Sequence, residues 1–145
     1  MLSRYTTGSG AGSRMELEDG TPVMLNAATE IAVSFSDQLR FVNVLRGEAS
    51  FAVRPDSYRP FRVRAAGRDL AANSTVLDVR VLAAKAAALT VLKGTAVVSA
   101  VDPRASDTNV GPLESLQFGP NQQSRHAISA AEAQVQLAWQ ASLPR

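Results

Sequence analysis

From Met15 onward the chain is a run of short stretches in which apolar and polar residues alternate, each cut off within about eight residues by a turn signal. Met15 and Leu17 alternate with Arg14, Glu16 and Glu18. Val23 and Leu25 follow, then Ile31, Val33 and Phe35, then Leu39, Phe41 or Val42, Val44 and Leu45. Phe61, Val63 and Ala65 alternate with Arg62 and Arg64. A period of two sends successive side chains to opposite faces of a strand, and an α-helix cannot bury such a pattern. Asp19-Gly20 predicts a type I′ hairpin turn, because both central residues of that turn need positive φ. Gly47, Gly67 and Gly94 mark further reversals. Apolar runs at 76–82 and 87–92, a short one at 96–98, and Leu113, Leu116 and Phe118 complete the series. The pattern predicts an all-β chain of about ten short strands, in a sandwich or roll, jelly-roll-like or β-helical. No repeat of fixed length supports a propeller or a regular solenoid.

One segment breaks the pattern. Ser129-Ala130-Ala131-Glu132 has the spacing of a capping box, and Val135 and Trp139 stand four apart beyond it. This predicts one short C-terminal helix over 130–141 that covers an open edge or end of the β domain with Trp139. Residues 6–13 are Thr, Ser, Gly and Ala with one charge-free run, a linker composition. The expected organisation is a flexible N-terminal arm over 1–13, one β domain over 14–141 and a tail over 142–145. A chain of 145 residues is long enough for one domain with its own core.

Composition removes several classes of chemistry. With no cysteine there is no disulfide, no thiolate metal site and no Cys nucleophile. The 15 basic residues face 13 acidic ones and are interspersed with them, which argues against nucleic acid as a partner. No apolar run reaches the roughly 18 residues of a membrane helix, and no secretory signal is visible at the N-terminus. His126 is the single histidine, and alone it is a poor zinc ligand set. Gly8-Ser9-Gly10-Ala11-Gly12 has neither the dinucleotide nor the P-loop spacing. Glu16 and Glu18 share one strand face and read as its solvated side. No Ser-His-Asp set or Ser-x-x-Lys motif is present, so binding is expected rather than catalysis, with no cofactor and no metal. Arg54, Arg59, Arg62, Arg64 and Arg68 form the densest basic stretch and are the candidate protein-binding residues, since a guanidinium pairs carboxylates in a planar fork.

Several pieces, in order, resemble the FecR family of membrane-anchored sigma-factor regulators. They are Met15-Glu16-Leu17-Glu18-Asp19-Gly20 with the strand after it, and Glu30-Ile31-Ala32-Val33-Ser34-Phe35. The most diagnostic is Val44-Leu45-Arg46-Gly47-Glu48-Ala49-Ser50-Phe51. After it come Arg59-Pro60-Phe61-Arg62-Val63, then Val91-Leu92-Lys93-Gly94, then Gly119-Pro120 and Trp139. Asn73-Ser74-Thr75-Val76-Leu77-Asp78-Val79 departs from the family's Gly-Thr-x-Phe-x-Val pattern at the Gly and the Phe. The resemblance implies a periplasmic sensor domain that binds protein, with the signalling domain of an outer-membrane TonB-dependent receptor as partner, in iron-siderophore uptake. It also implies that membrane anchoring and the anti-sigma part belong to segments absent from these residues. The alternative is a FecR-like β module that binds carbohydrate or another cell-envelope component.

Overall fold

The alternating stretches pair into two sheets. The computed structural model describes residues 2–83, 85–102, 104–120 and 122–143. In chain order the strands are β1 (Leu2–Thr6), β2 (Ser13–Glu16), β3 (Pro22–Leu25), β4 (Glu30–Phe35) and β5 (Arg40–Arg46). Then come β6 (Glu48–Ala52), β7 (Phe61–Ala65), β8 (Arg68–Ala72), β9 (Val76–Ala83) and β10 (Ala86–Lys93). The last are β11 (Ala96–Val98), β12 (Thr108–Val110), β13 (Glu114–Phe118) and β14 (Gln123–Ala127). The first sheet has the order β1-β4-β5-β7-β8-β11-β12, and the second β14-β13-β10-β9-β6-β3-β2. Six consecutive pairs are hairpins: β2–β3, β4–β5, β7–β8, β9–β10, β11–β12 and β13–β14. Every other connection carries the chain from one sheet to the other. The chain leaves the first sheet after β5 and returns at β7, which makes β5–β7 a parallel pair.

The inner faces of both sheets meet in one core, with Val23, Leu25, Phe51, Leu77 and Leu89 from the second sheet and Ile31, Val42, Val44, Phe61 and Leu70 from the first. Phe51 and Phe61 are fully buried and meet edge to face, 5.9 Å between centroids. Burying each such side chain stabilises the fold by about 1.5–3 kcal/mol. The chain switches sheets most tightly at Gly47, between β5 and β6. Its φ is +81°, and a Cβ there would run into Thr29. The buried Thr29 hydroxyl accepts from the Glu48 amide at 3.0 Å and ties this corner to β4.

Fourteen strands are present among the described residues, where the sequence pattern suggests about ten. The extra ones lack the signal that reveals a strand. All five residues of β14 are exposed, so nothing alternates. The strand β12 is three residues long inside a polar loop, and β8 is written in Arg, Asp, Leu and Ala. Residues Leu2–Thr6, expected within a flexible arm, form β1 and pair with β4 from Leu2↔Ser34 to Thr6↔Glu30. Four of those five residues are exposed, so no buried face marked them. The Asp19-Gly20 hairpin is present, but Gly20 alone has positive φ. The Gly20 amide donates to Leu17 O and the Leu17 amide to Thr21 O, the pattern of a type I turn closed by a glycine bulge. The two-residue turn with both φ positive is Ala66-Gly67, between β7 and β8.

The capping box forms as expected, with Glu132 N donating to Ser129 Oγ at 3.0 Å and Ser129 N to Glu132 Oε1 at 3.2 Å. The helix α1 (Ala130–Gln136) is shorter than 130–141 and passes into a 3-10 turn over Ala138–Ser142. That change of pitch breaks the four-residue spacing, so Val135 is 78% exposed while Trp139 is partly buried. The segment lies on the outer face of the second sheet rather than at an edge or end. Gln136 Nε2 donates to Thr90 Oγ1 of β10, and Arg14 Nη2 of β2 donates to Gln140 O. Of the expected tail, residues 144 and 145 lie outside the described residues.

Candidate functional site

The five arginines come from one stretch of sequence but reach three places. Arg54 precedes the 55–60 loop and Arg59 lies near its end, at one end of the sandwich. Arg54 Nε donates to Gly20 O at 3.3 Å, and Arg59 Nε pairs with Asp56 Oδ2 at 3.0 Å. Asp56 also accepts from the Tyr58 and Arg59 amides. The Tyr58 amide above all, with the Arg59 guanidinium and amide, holds the Asp56 carboxyl at about 2, below its ordinary range. The Arg59 guanidinium lies 5.8 Å from the Phe35 ring centroid.

Arg62 and Arg64 point outward from β7, opposite the buried Phe61, Val63 and Ala65. Arg64 Nε meets Asp69 Oδ1 across the β7–β8 hairpin at 2.9 Å. Arg62 stands in cross-strand register between Phe41 of β5 and Ala71 of β8. That row continues to Ser34 and Leu2 on one side and Val97 on the other. The outer face of the first sheet is therefore a mixed patch: a half-buried aromatic, small apolar groups and an exposed guanidinium. Arg68 points the other way, into the sandwich, and is buried. Its Nε and Nη2 donate to Ser99 O at 3.1 and 2.8 Å, and Nη2 also to Gln123 Oε1 at 3.2 Å. Burial pulls its pKa below the usual arginine value. Arg68 ties the loop after β11 to the start of β14, and of the five only Arg62 and Arg64 share an exposed face.

Arg40 is the arginine that its neighbours in sequence do not announce. It sits on the inner face of β5, in line with Val42 and Val44, with no exposure. Its Nη1 pairs with Asp19 Oδ2 at 2.7 Å and donates to Arg54 O at 2.6 Å. Nε donates to Arg59 O at 3.1 Å, and the guanidinium lies 5.1 Å from the Phe61 ring centroid. One side chain thus fastens the β2–β3 turn and both ends of the segment 54–59. Burial pushes the Asp19 carboxyl up, but hydrogen bonds from Arg40 and Thr21 outweigh it and leave its pKa below the usual value. A readable signal existed: a charged residue at an inward position of an alternating strand demands a buried partner, but that the partner is Asp19 of the β2–β3 turn follows only from the fold.

The other candidates stay separate. His126 is exposed on β14, opposite Ser115, and none of the described cavities is lined by it. Glu16 and Glu18 are exposed, as expected of a solvated face. Gly8 to Gly12 form the crossing from the first sheet to the second, where the Ala28 amide donates to Gly8 O. Among the described residues no group of three His, Cys, Asp or Glu could hold a metal ion, and no helix is long and apolar enough to cross a membrane. A sugar-binding groove needs exposed aromatics. Phe51 and Phe61 are in the core and Phe35 packs against it, while the outward aromatics are scattered: Phe41 half-buried on β5, Tyr5 on β1 and Tyr58, 91% exposed, on the 55–60 loop.

The family profile described as FecR protein matches residues 3–97. Two crystal structures from Parabacteroides distasonis ATCC 8503, both provisionally assigned as an anti-sigma factor, share the fold. One is 26% identical over 94% of this chain with a TM-score of 0.77, and the other 25% identical over 93% with a TM-score of 0.78. This chain spans 65% and 64% of the length of those two structures. A search of curated proteins gives no match.

Proposed function

This chain belongs to the FecR family, and from that premise we propose that it is the sensor domain of a sigma-factor regulator, a protein-binding module rather than an enzyme. In this reading it sits in the periplasm, in a regulator anchored in the inner membrane. It receives a signal from the signalling domain of an outer-membrane TonB-dependent receptor of the iron-siderophore type. The observation that carries the proposal is the family match, joined to the anti-sigma assignment of the two similar structures.

The surface suits that task. A protein interface favours arginine and aromatic anchors on an exposed, partly apolar patch. The outer face of β5, β7 and β8 supplies Phe41, Arg62, Arg64 and Ala71 in adjacent register. Strand edges are also open at β1 and β12 in the first sheet. An incoming strand could pair there through its backbone.

An isotope-labelled NMR titration with the receptor's signalling domain tests the proposal. Amide resonances at Phe41, Arg62 and Ala71 should move and saturate. Resonances that stay fixed at saturating partner concentrations would remove the receptor from the account.

A further inference from the structure

On the outer face of the second sheet, one line of cross-strand neighbours runs through Ser115, Thr90, Asp78, Ser50, Met24 and Arg14. Outward polar residues belong in water, yet Asp78 and Thr90 are each 1% exposed and Ser50 3%. The C-terminal segment dries them. It is anchored at Thr90 by Gln136 and at Arg14 by the Gln140 carbonyl, both at 3.1 Å, and Leu143 closes on Gly12 beyond. Strands β9, β6 and β3 lie between the two anchored strands, and the partly buried Trp139 lies between the two anchoring residues.

Glu48 stands diagonal to Asp78 on the neighbouring strand and is also buried. Asn26 Nδ2 donates to Glu48 Oε1 at 3.1 Å. The other Glu48 oxygen, Oε2, and Asp78 Oδ1 are buried without a hydrogen-bond partner, as are Trp139 Nε1 and Gln140 Nε2 of the covering segment. Two carboxyl groups in contact cannot both stay ionised out of water. If Asp78 keeps its proton, Oδ1–H donates to Glu48 Oε2, and each orphan oxygen becomes the partner of the other.

We propose that a proton shared between Asp78 and Glu48 latches the C-terminal segment onto the second sheet, so that losing the proton releases the segment. Burial, then Glu48, hold the Asp78 carboxyl well above the usual carboxylate range. Arg80, exposed and in register with Glu48, pulls the other way. Among the described residues, the other charged groups on this side are Arg14 and Glu16 of β2 at the far end, Lys93 at the end of β10, Glu132 of α1, which is engaged in the helix cap, and His126 beyond Ser115. None of them offers Asp78 a counter-ion once it ionises. Ionisation then leaves two like charges under a cover that already carries unpartnered polar atoms, and lifting the cover returns both to water.

Trp139 is the only tryptophan of the chain and reports the cover directly. Its fluorescence should be followed as the pH rises from about 4 to about 9, the span above ordinary carboxylate titration. The emission should shift to the red in one step whose midpoint lies above the ordinary carboxylate range, with the far-ultraviolet circular dichroism of the sheets unchanged. Asp78→Asn should abolish the step. Glu48→Gln, which leaves one carboxyl and less repulsion, should move it to lower pH and serves alone if the first variant does not fold. Emission that ignores pH, an unaltered step in either variant, or a step in which the sheet signal collapses with it would each overturn the latch.

Discussion

A guanidinium at Arg40 and a carboxyl at Asp78 are both almost wholly removed from water, and the protein handles them in opposite ways. Asp19 and three further oxygens surround the Arg40 guanidinium, whereas Asp78 Oδ1 has no hydrogen-bond donor. Breaking such a pair from one side strands the other charge, which costs about 3–5 kcal/mol. Arg40→Met should therefore lower the urea-denaturation stability by about that amount, and Arg40→Lys should recover only part, because a point charge cannot reach four acceptors. A loss below about 1 kcal/mol would mean that the pair is no better than a surface salt bridge. The two carboxyls also give opposite pH signs. Asp19 has a depressed folded pKa, so its stabilisation is present above the ordinary carboxylate value and lost as the pH falls through the folded one. Asp78 has a raised folded pKa, so its contribution is full below the ordinary value and lost as the pH rises through the folded one. Stability measured at a series of pH values should fall on the alkaline side in the natural chain and stay flatter in Asp78→Asn. Parallel curves would contradict the assignment.

Among the elements, the hairpins and the cap were legible because each rests on local chemistry. Alternation located β2, β3, β4, β5 and β7, and short apolar runs located β9, β10, β11 and β13, from side-chain type alone. It could not locate β1 or β14, which bury almost nothing and are held by backbone pairing, β1 to the distant β4 and β14 to its hairpin partner β13. It also could not say that Arg68 faces inward while Arg62 and Arg64 face outward, because the Ala66-Gly67 turn resets the register between them. The corner at Gly47 is a sharper case of local demand. Gly47→Ala combines a left-handed backbone with a contact against Thr29 and should cost about 1–3 kcal/mol in thermal denaturation. At the C-terminus, Ser129→Ala removes one half of the capping box, worth about 1 kcal/mol. Amide exchange at Ala133 and Leu137 should then speed up about fivefold, while the core strands exchange as before. Equal acceleration throughout would show that the cover and the sandwich unfold as one unit.

At the scale of the whole molecule the two outer faces differ. The second sheet wears its own C-terminal segment across a buried polar row, whereas the first sheet leaves Phe41, Arg62 and Ala71 toward solvent. The sequence pattern supplied the all-β class and the family resemblance, since both follow from the order of strands and turns. The placement of a partner surface did not follow, because five arginines close in sequence are spread by the fold over an end, a face and the interior. The account therefore rests on the exposed face of the first sheet. Calorimetric titration of this chain with the periplasmic signalling domain of the TonB-dependent receptor encoded nearest its gene addresses it most directly. The expected result is saturable one-to-one binding that Arg62→Glu with Arg64→Glu weakens, while Arg54→Glu does so less. A folded chain that takes up no heat at high micromolar receptor domain, or binding indifferent to the charge of β7, would contradict it.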